Sequence, residues 1–433
     1  MGNSKSQQYL RPLILMVTLF FMFGMATNIN NVLVPYIKDV YQLSNFAATL
    51  VTFSFFMGFL VISPLGSFIV SRFGYKNTAV IGLVTMSGGF LLALASSKLA
   101  LSALESGEVL SAGVSVLTAG GLLRVSYLVF LLATFGVGSG VTILQVAANP
   151  YLTALGNPET ADSRINTAGF FNSLSGSIAP LVAGMILLGS FGSTSDALRA
   201  ISLPYMGLIG FTLVVAVVFS FAKLPRLSIE RDVTETSKPS GNPLKYKHMW
   251  MGVVAIFMYV AAEVSIPTLM VELIRESKMG WSWFSFENAA TYGSMYWALV
   301  MLGRLAGIFI MQKVQIHKGL IFTSGPALLL VALGMTTTND LSVLAFVLVG
   351  LFNSVMWGAI FPLGIARMGK LTNKASGYML MGVVGGAIYP LLQGLVADSW
   401  GVHASYGIIL LPYLFLLYYG LVGHKVKSAP AQV

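Results

Sequence analysis

Twelve apolar runs follow one another along this chain, and each is about long enough to cross a bilayer. They lie near residues 12–36, 45–70, 78–97, 125–153, 164–190 and 201–222, then 249–274, 286–311, 319–337, 342–366, 376–397 and 405–423. A helix needs about 20 apolar residues to span the hydrocarbon layer. Backbone polar groups there find no water, so each run must satisfy its own hydrogen bonds, as a helix does. Only 9% of the 433 residues are charged, against about a quarter in a soluble domain. Lipid is therefore the solvent for this surface. The expected fold class is an all-α membrane protein with twelve transmembrane helices in two six-helix bundles. Residues 1–222 form the first bundle, 223–247 a cytoplasmic linker and 248–433 the second bundle.

Charge fixes an expected orientation. With the N-terminus inside, the inner segments hold 19 of the 25 Lys and Arg residues and the outer ones hold 6. Short inner loops favour positive charge, so both termini and the linker are expected in the cytoplasm, in a bacterial inner membrane. The net charge of +10 is then a product of topology. It predicts contact with the lipid bilayer and no nucleic-acid partner. The first apolar run is too long for the core of a signal peptide and lacks a clear cleavage site, so it is expected to stay as the first span. With no cysteine, disulfides, thiol ligands and thiol nucleophiles are excluded. No cluster of His or paired acids stands inside the spans, which argues against a membrane enzyme and predicts no cofactor beyond a transported ion.

The two halves look related. Gly66-Ser-Phe-Ile-Val-Ser-Arg72 ends span two as Gly307-Ile-Phe-Ile-Met-Gln-Lys313 ends span eight. Asn149-Pro150 with Pro180 matches Phe361-Pro362 with Pro390. A repeat of two six-span halves suits a transporter that rocks about one site. Glycines 136, 138 and 140, and 382, 385 and 386, are expected to let helices approach closely.

The loop Ser71-Arg72-Phe73-Gly74-Tyr75-Lys76 resembles the two–three loop motif of the major facilitator superfamily, with Ser71 where Asp is usual and Ser67 where Gly is usual. Three further stretches resemble its fucose, galactose and glucose symporter branch. They are Asn28-Ile-Asn30-Asn31-Val-Leu-Val-Pro35, Gln145-Val-Ala-Ala-Asn149-Pro150-Tyr151 and Tyr259-Val-Ala-Ala-Glu263-Val-Ser265. The resemblance implies the major facilitator fold and uptake of a monosaccharide driven by a cation gradient. Proton-coupled fucose permeases carry an Asp and a Glu in the N-terminal half, where this chain has Asn31 and Gln145. Amides do not titrate, so the sodium-coupled glucose/galactose members are the nearer analogy, and sodium is the expected co-transported ion.

Asn28 and Asn31 are three residues apart and Gln145 and Asn149 four apart, so each pair shares a helix face. Carboxamides both donate and accept, which suits the hydroxyls of a neutral sugar. The plainer reading is that such amides tie helices together, and it weighs evenly for Asn166 and Asn172. Among fifteen acidic residues only Glu263 falls near the middle of a span. A charge there costs at least about 2.5–3.5 kcal/mol, so it needs a cation, a proton or a polar cavity. Thr27 and Ser265 are candidate co-ligands for a cation, with any further metal role undefined. Trp357, with Asn353 four residues before it, is a candidate to pack on the apolar face of a sugar. Trp297, Tyr292 and Gln393 are weaker candidates. Arg72 and Arg304 are candidate gate residues. The expected substrate-binding set is thus Asn28, Asn31, Gln145, Asn149, Asn353 and Trp357, in a monomer with one central site. Rival readings are a proton-coupled symporter, a drug or lipid exporter of the same fold, and a sugar sensor.

Overall fold

The computed structural model describes residues 2–108, 121–155, 161–187, 194–222, 224, 242–276, 289–310, 314–338, 340–368 and 371–426. Among them there is no strand. The helices are α1 (Gly2–Tyr41), α2 (Asn45–Glu105), α3 (Leu122–Ala154), α4 (Ala161–Leu187), α5 (Thr194–Phe221), α6 (Lys247–Thr268) and α7 (Met270–Glu276). They continue with α8 (Ala289–Ile310), α9 (Ile316–Thr336), α10 (Asp340–Asn353), α11 (Met356–Ile365), α12 (Thr372–Met381), α13 (Gly385–Trp400) and α14 (Leu410–Tyr418). Nine helical segments among the described residues are long and apolar enough to cross a membrane, or ten with the bent pair α10 and α11 taken as one span. The two other expected spans coincide with α4 and α8. The chain divides into two compact units, Met1–Thr234 and Glu235–Val433. Most of the expected linker lies outside the described residues.

In the first unit, α2 is two spans joined at Gly74, whose φ of 72° and ψ of 167° break the helix. A side chain is strained at that φ, and glycine is not. This is the turn of the two–three loop motif. Both halves of α2 pack on α3 through glycines. A Cβ at Gly138 would stand 1.9 Å from the Phe55 carbonyl oxygen, and one at Gly140 would stand 2.5 Å from the Met86 nitrogen. Unlike in a water-soluble bundle, the outward faces are apolar as well as the core. In α5, Thr212 is buried and its hydroxyl meets that of Ser87 at 2.6 Å, while Val214, Val217 and Phe221 face outward.

The second unit uses the same device. A Cβ at Gly385 would stand 2.0 Å from the Phe257 carbonyl oxygen, bringing α13 against α6. The two glycines matched between the halves also do alike. Gly66 abuts Val146 at 2.6 Å and Gly307 abuts Val355 at 2.2 Å, each measured from an added Cβ.

Several expected spans depart from one continuous α-helix. The run 249–274 divides at Leu269, two residues after Pro267. Proline lacks the N–H that would bond four residues back and crowds the carbonyl there. The run 342–366 bends by 44° between α10 and α11. The run 376–397 tightens into a 3₁₀ turn at Gly382–Val384.

Candidate functional site

The candidate site is described within each unit. In the second unit it starts from α6. Glu263 is half-buried, and Tyr259, one turn earlier, donates its hydroxyl to Glu263 Oε1. Pro267 stands four residues after Glu263, so the Glu263 carbonyl has no backbone donor within the helix. Tyr296 of α8 supplies one at 3.2 Å. Behind it, Asn353 donates Nδ2 to the Tyr296 oxygen at 2.7 Å, and Tyr413 donates to Asn353 Oδ1 at 2.8 Å. Each bond in this row points its donor toward Glu263, an order in which neighbouring bonds polarise and strengthen one another.

Arg304 stands with this group. Its Nε donates to the Ser354 carbonyl at 3.4 Å, at the break between α10 and α11 where that carbonyl faces no helical N–H. Its charge reaches Glu263, Tyr259 and Tyr296. Arg304, a candidate gate residue, thus also acts electrostatically on the deep carboxylate. Trp357 is half-buried, with its ring 6.2 Å from that of Tyr259 and stacked on Phe361 at 6.0 Å.

The helix break also separates two residues that were expected to act together. The four-residue spacing of Asn353 and Trp357 implies a shared face only on a continuous helix. Asn353 is fully buried and serves two tyrosines, whereas Trp357 turns to Tyr259. Ser265 likewise parts from Glu263. Two residues on, it lies about 200° around the helix, and its hydroxyl is buried without a partner. Gln393 is fully buried with neither amide atom bonded, Tyr292 is buried, and Trp297 is buried with its ring edge-on to Tyr296 at 5.6 Å.

In the first unit the candidates lie on α1 and α3. Asn28 is buried, its Nδ2 donates to the Gly24 carbonyl at 2.8 Å, and its Oδ1 is buried with no partner. Gly24, one turn before on the same face, presses on Asn172 and Ser175 of α4. Asn172 donates to the Phe20 carbonyl at 3.1 Å, which makes it a tie between helices. Thr27 spends its hydroxyl on the Phe23 carbonyl at 2.8 Å. Gln145 and Asn149 are both half-buried on α3. Arg72 is exposed, with its guanidinium 5.7 Å from the Phe73 ring centre. The side chains of Asn31 and Asn166, together with those of Pro150, Pro180 and Ser71, lie outside the described residues.

Sequence reasoning missed the three tyrosines around Glu263. Tyr259 had a local signal, since its four-residue spacing from Glu263 puts both on one face. Tyr296 and Tyr413 had none, because they arrive from helices distant in the chain.

Comparison with known proteins agrees with this architecture. Residues 16–382 match the model of the Major Facilitator Superfamily. A glucose/galactose transporter from Brucella abortus is 33% identical over 429 residues, spanning 98% of this chain and 96% of that one. An L-fucose-proton symporter from Escherichia coli is 25% identical over 418 residues, spanning 92% of this chain and 89% of that one. A crystal structure of a major facilitator superfamily transporter, FucP, in the outward conformation, matches with a TM-score of 0.72 at 23% identity, covering 96% of this chain and 99% of that chain. The loop at Gly74, the serial apolar helices and the matched length lead to one assignment: this chain belongs to the major facilitator superfamily.

Proposed function

We infer that this protein takes up a neutral monosaccharide together with a cation by alternating access. The observation that carries the reading is Glu263 inside a span, bonded by Tyr259, whose ring in turn meets the half-buried ring of Trp357 within one unit. A carboxylate kept inside a membrane span is costly and belongs to ion pathways. The Trp357 indole against the Tyr259 ring suits the C–H face of a sugar ring. The names of the Brucella abortus and Escherichia coli relatives support a hexose or deoxyhexose substrate. Asn28, Asn31, Gln145 and Asn149 are the sugar-binding amides of the first unit, and Trp357 is the aromatic contact of the second. Asn353 serves as a brace for Tyr296.

Sodium is the preferred coupling ion, because Asn31 and Gln145 cannot carry a proton. Sodium, like other hard cations, takes oxygen ligands, and Glu263 supplies them once Arg304 yields. A proton is the second reading. The name of the fucose-proton relative favours it. Counterflow uptake against a monosaccharide panel in proteoliposomes, with and without sodium, tests the substrate and the ion together. A drug or lipid exporter would show no saturable monosaccharide exchange, and a sensor would show none at all.

The Lys and Arg asymmetry supports cytoplasmic termini and a cytoplasmic 223–247 linker. A cysteine placed at Ser237 in this cysteine-free chain is expected to react with an impermeant maleimide only in opened cells. Reaction in intact cells would reverse the orientation.

A further inference from the structure

His317 near the start of α9 and His424 after the last helix stack face to face, with ring centres 4.7 Å apart and planes at 13°. Two features of the backbone bring them together. Gly420 lets the last helix close on α9, since a Cβ there would meet Ile321 at 3.0 Å and the His317 carbonyl at 3.4 Å. The segment Tyr419–Gly423 then winds as a π-turn, and the His424 N–H reaches the Tyr419 carbonyl at 3.0 Å. A π-turn inserts one residue into the helix and is found mostly at functional positions. Here it re-aims His424 onto His317.

The charges around the stack are all of one sign. Lys318 and Lys425 act on His317 along with His424, and both lysines are exposed. No carboxylate among the described residues forms an ion pair with any of the four. The first turn of α9 adds uncapped N–H groups, because Gln315 makes no side-chain cap. Two lysines with no acid paired to them, beside two stacked imidazoles that offer ring N–H groups, suit an anion from outside the chain. Beside them runs an outward apolar stripe of Leu411, Leu414, Tyr418 and Leu421, all exposed and spaced three or four residues apart on one face. A phosphate with an acyl chain attached fits both features, whereas free phosphate fits only the first.

We propose that the His317–His424 stack with Lys318 and Lys425 forms a headgroup site for an anionic phospholipid, whose acyl chain lies along the Leu411–Leu421 stripe. Basic pockets between transmembrane helices bind such headgroups. A bound lipid would bridge α9 to the last helix and hold the π-turn.

The test is native mass spectrometry of the full-length protein taken from vesicles of equal phosphatidylglycerol and phosphatidylcholine with matched acyl chains. The wild-type protein is expected to retain phosphatidylglycerol about tenfold over phosphatidylcholine. Lys318→Gln with Lys425→Gln changes only exposed residues and is expected to bring that ratio to about one. His317→Gln with His424→Gln is expected to lower it in the same direction. Equal retention of the two lipids by the wild-type protein overturns the proposal. So does a ratio unchanged in the lysine variant. Loss of the preference in millimolar inorganic phosphate at constant ionic strength would assign the site to free phosphate and overturn the lipid.

Discussion

The two units are equipped differently for the same task. In the described part of the first unit, the deep polar side chains on α1 and α3 are neutral amides and hydroxyls: Asn28, Gln145, Asn149 and Thr27. The second unit places Glu263 in mid-span, bonds its carboxylate to Tyr259 and braces its backbone carbonyl through Tyr296, Asn353 and Tyr413, with the charge of Arg304 in reach. Amides recognise hydroxyls but cannot change charge, whereas a carboxylate beside a guanidinium can exchange one cation for another. On the function proposed above, the contrast would divide recognition and coupling largely between the first unit and the second.

The strongest break in that comparison is Glu263→Gln. It is expected to abolish uphill accumulation while sparing sugar exchange, read as accumulation ratio against counterflow in the same proteoliposomes. Normal accumulation would remove Glu263 from coupling. Next come Gln145→Ala, Asn149→Ala and Trp357→Ala. An unpaired buried hydroxyl costs about 1–3 kcal/mol, so each amide variant is expected to weaken sugar binding roughly 5- to 150-fold, with the indole loss in the lower part of that range. Unchanged affinity in all three folded variants would move the sugar site elsewhere.

Tyr296→Phe sharpens the comparison by testing the scaffold alone. It leaves the Glu263 carbonyl and Asn353 Nδ2 each short of a partner, at a cost of about 1–3 kcal/mol per buried group. A lower melting midpoint with sugar affinity preserved is the expected result. Lost affinity with unchanged melting would make Tyr296 a binding residue.

The smallest effect lies outside the membrane. The Glu108 carboxylate accepts N–H bonds from Leu122 at 2.8 and 3.0 Å and from Leu123 at 3.0 Å, capping α3. These bonds, that from Leu122 foremost, hold its pKa below the ordinary 4.5. A carboxylate with a depressed folded value stabilises the protein above its unfolded value and loses that contribution as pH falls through the folded one. Glu108→Gln is therefore expected to lower the melting midpoint slightly near pH 7, with the difference from wild type shrinking as pH falls below 4.5 and vanishing beneath the lower folded value. A difference that persists in acid would mean that the cap acts through shape rather than charge.

Much of the fold was legible because lipid imposes a simple rule on composition and run length. The glycine contacts were legible too, since Gly138 and Gly385 sit in runs that only close packing explains. The breaks were harder to read. Asn353 and Trp357 share a face on a continuous helix, and nothing local announces the bend at Ser354 and Val355. Pro267 did carry a signal, because a proline four residues after Glu263 frees that carbonyl by stereochemistry alone. What the freed carbonyl meets depends on Tyr296, thirty-three residues away, and such pairings follow from packing rather than from local pattern. Arg304 shows the same dependence on packing: its position near a helix end suggested a gate, and its side chain also reaches the Ser354 carbonyl at the break in the α10–α11 pair.

The central claim is that sugar movement is tied to a cation held at Glu263. The most direct measurement is uptake of labelled sugar into proteoliposomes at fixed pH with sodium replaced by choline, followed by uptake at fixed sodium across pH 5.5 to 8, in wild type and Glu263→Gln. Accumulation that requires sodium, varies little with pH and disappears in the variant is the predicted result. Full accumulation in choline driven by an inward proton gradient would contradict sodium coupling, and accumulation by Glu263→Gln under either ion would contradict the claim itself.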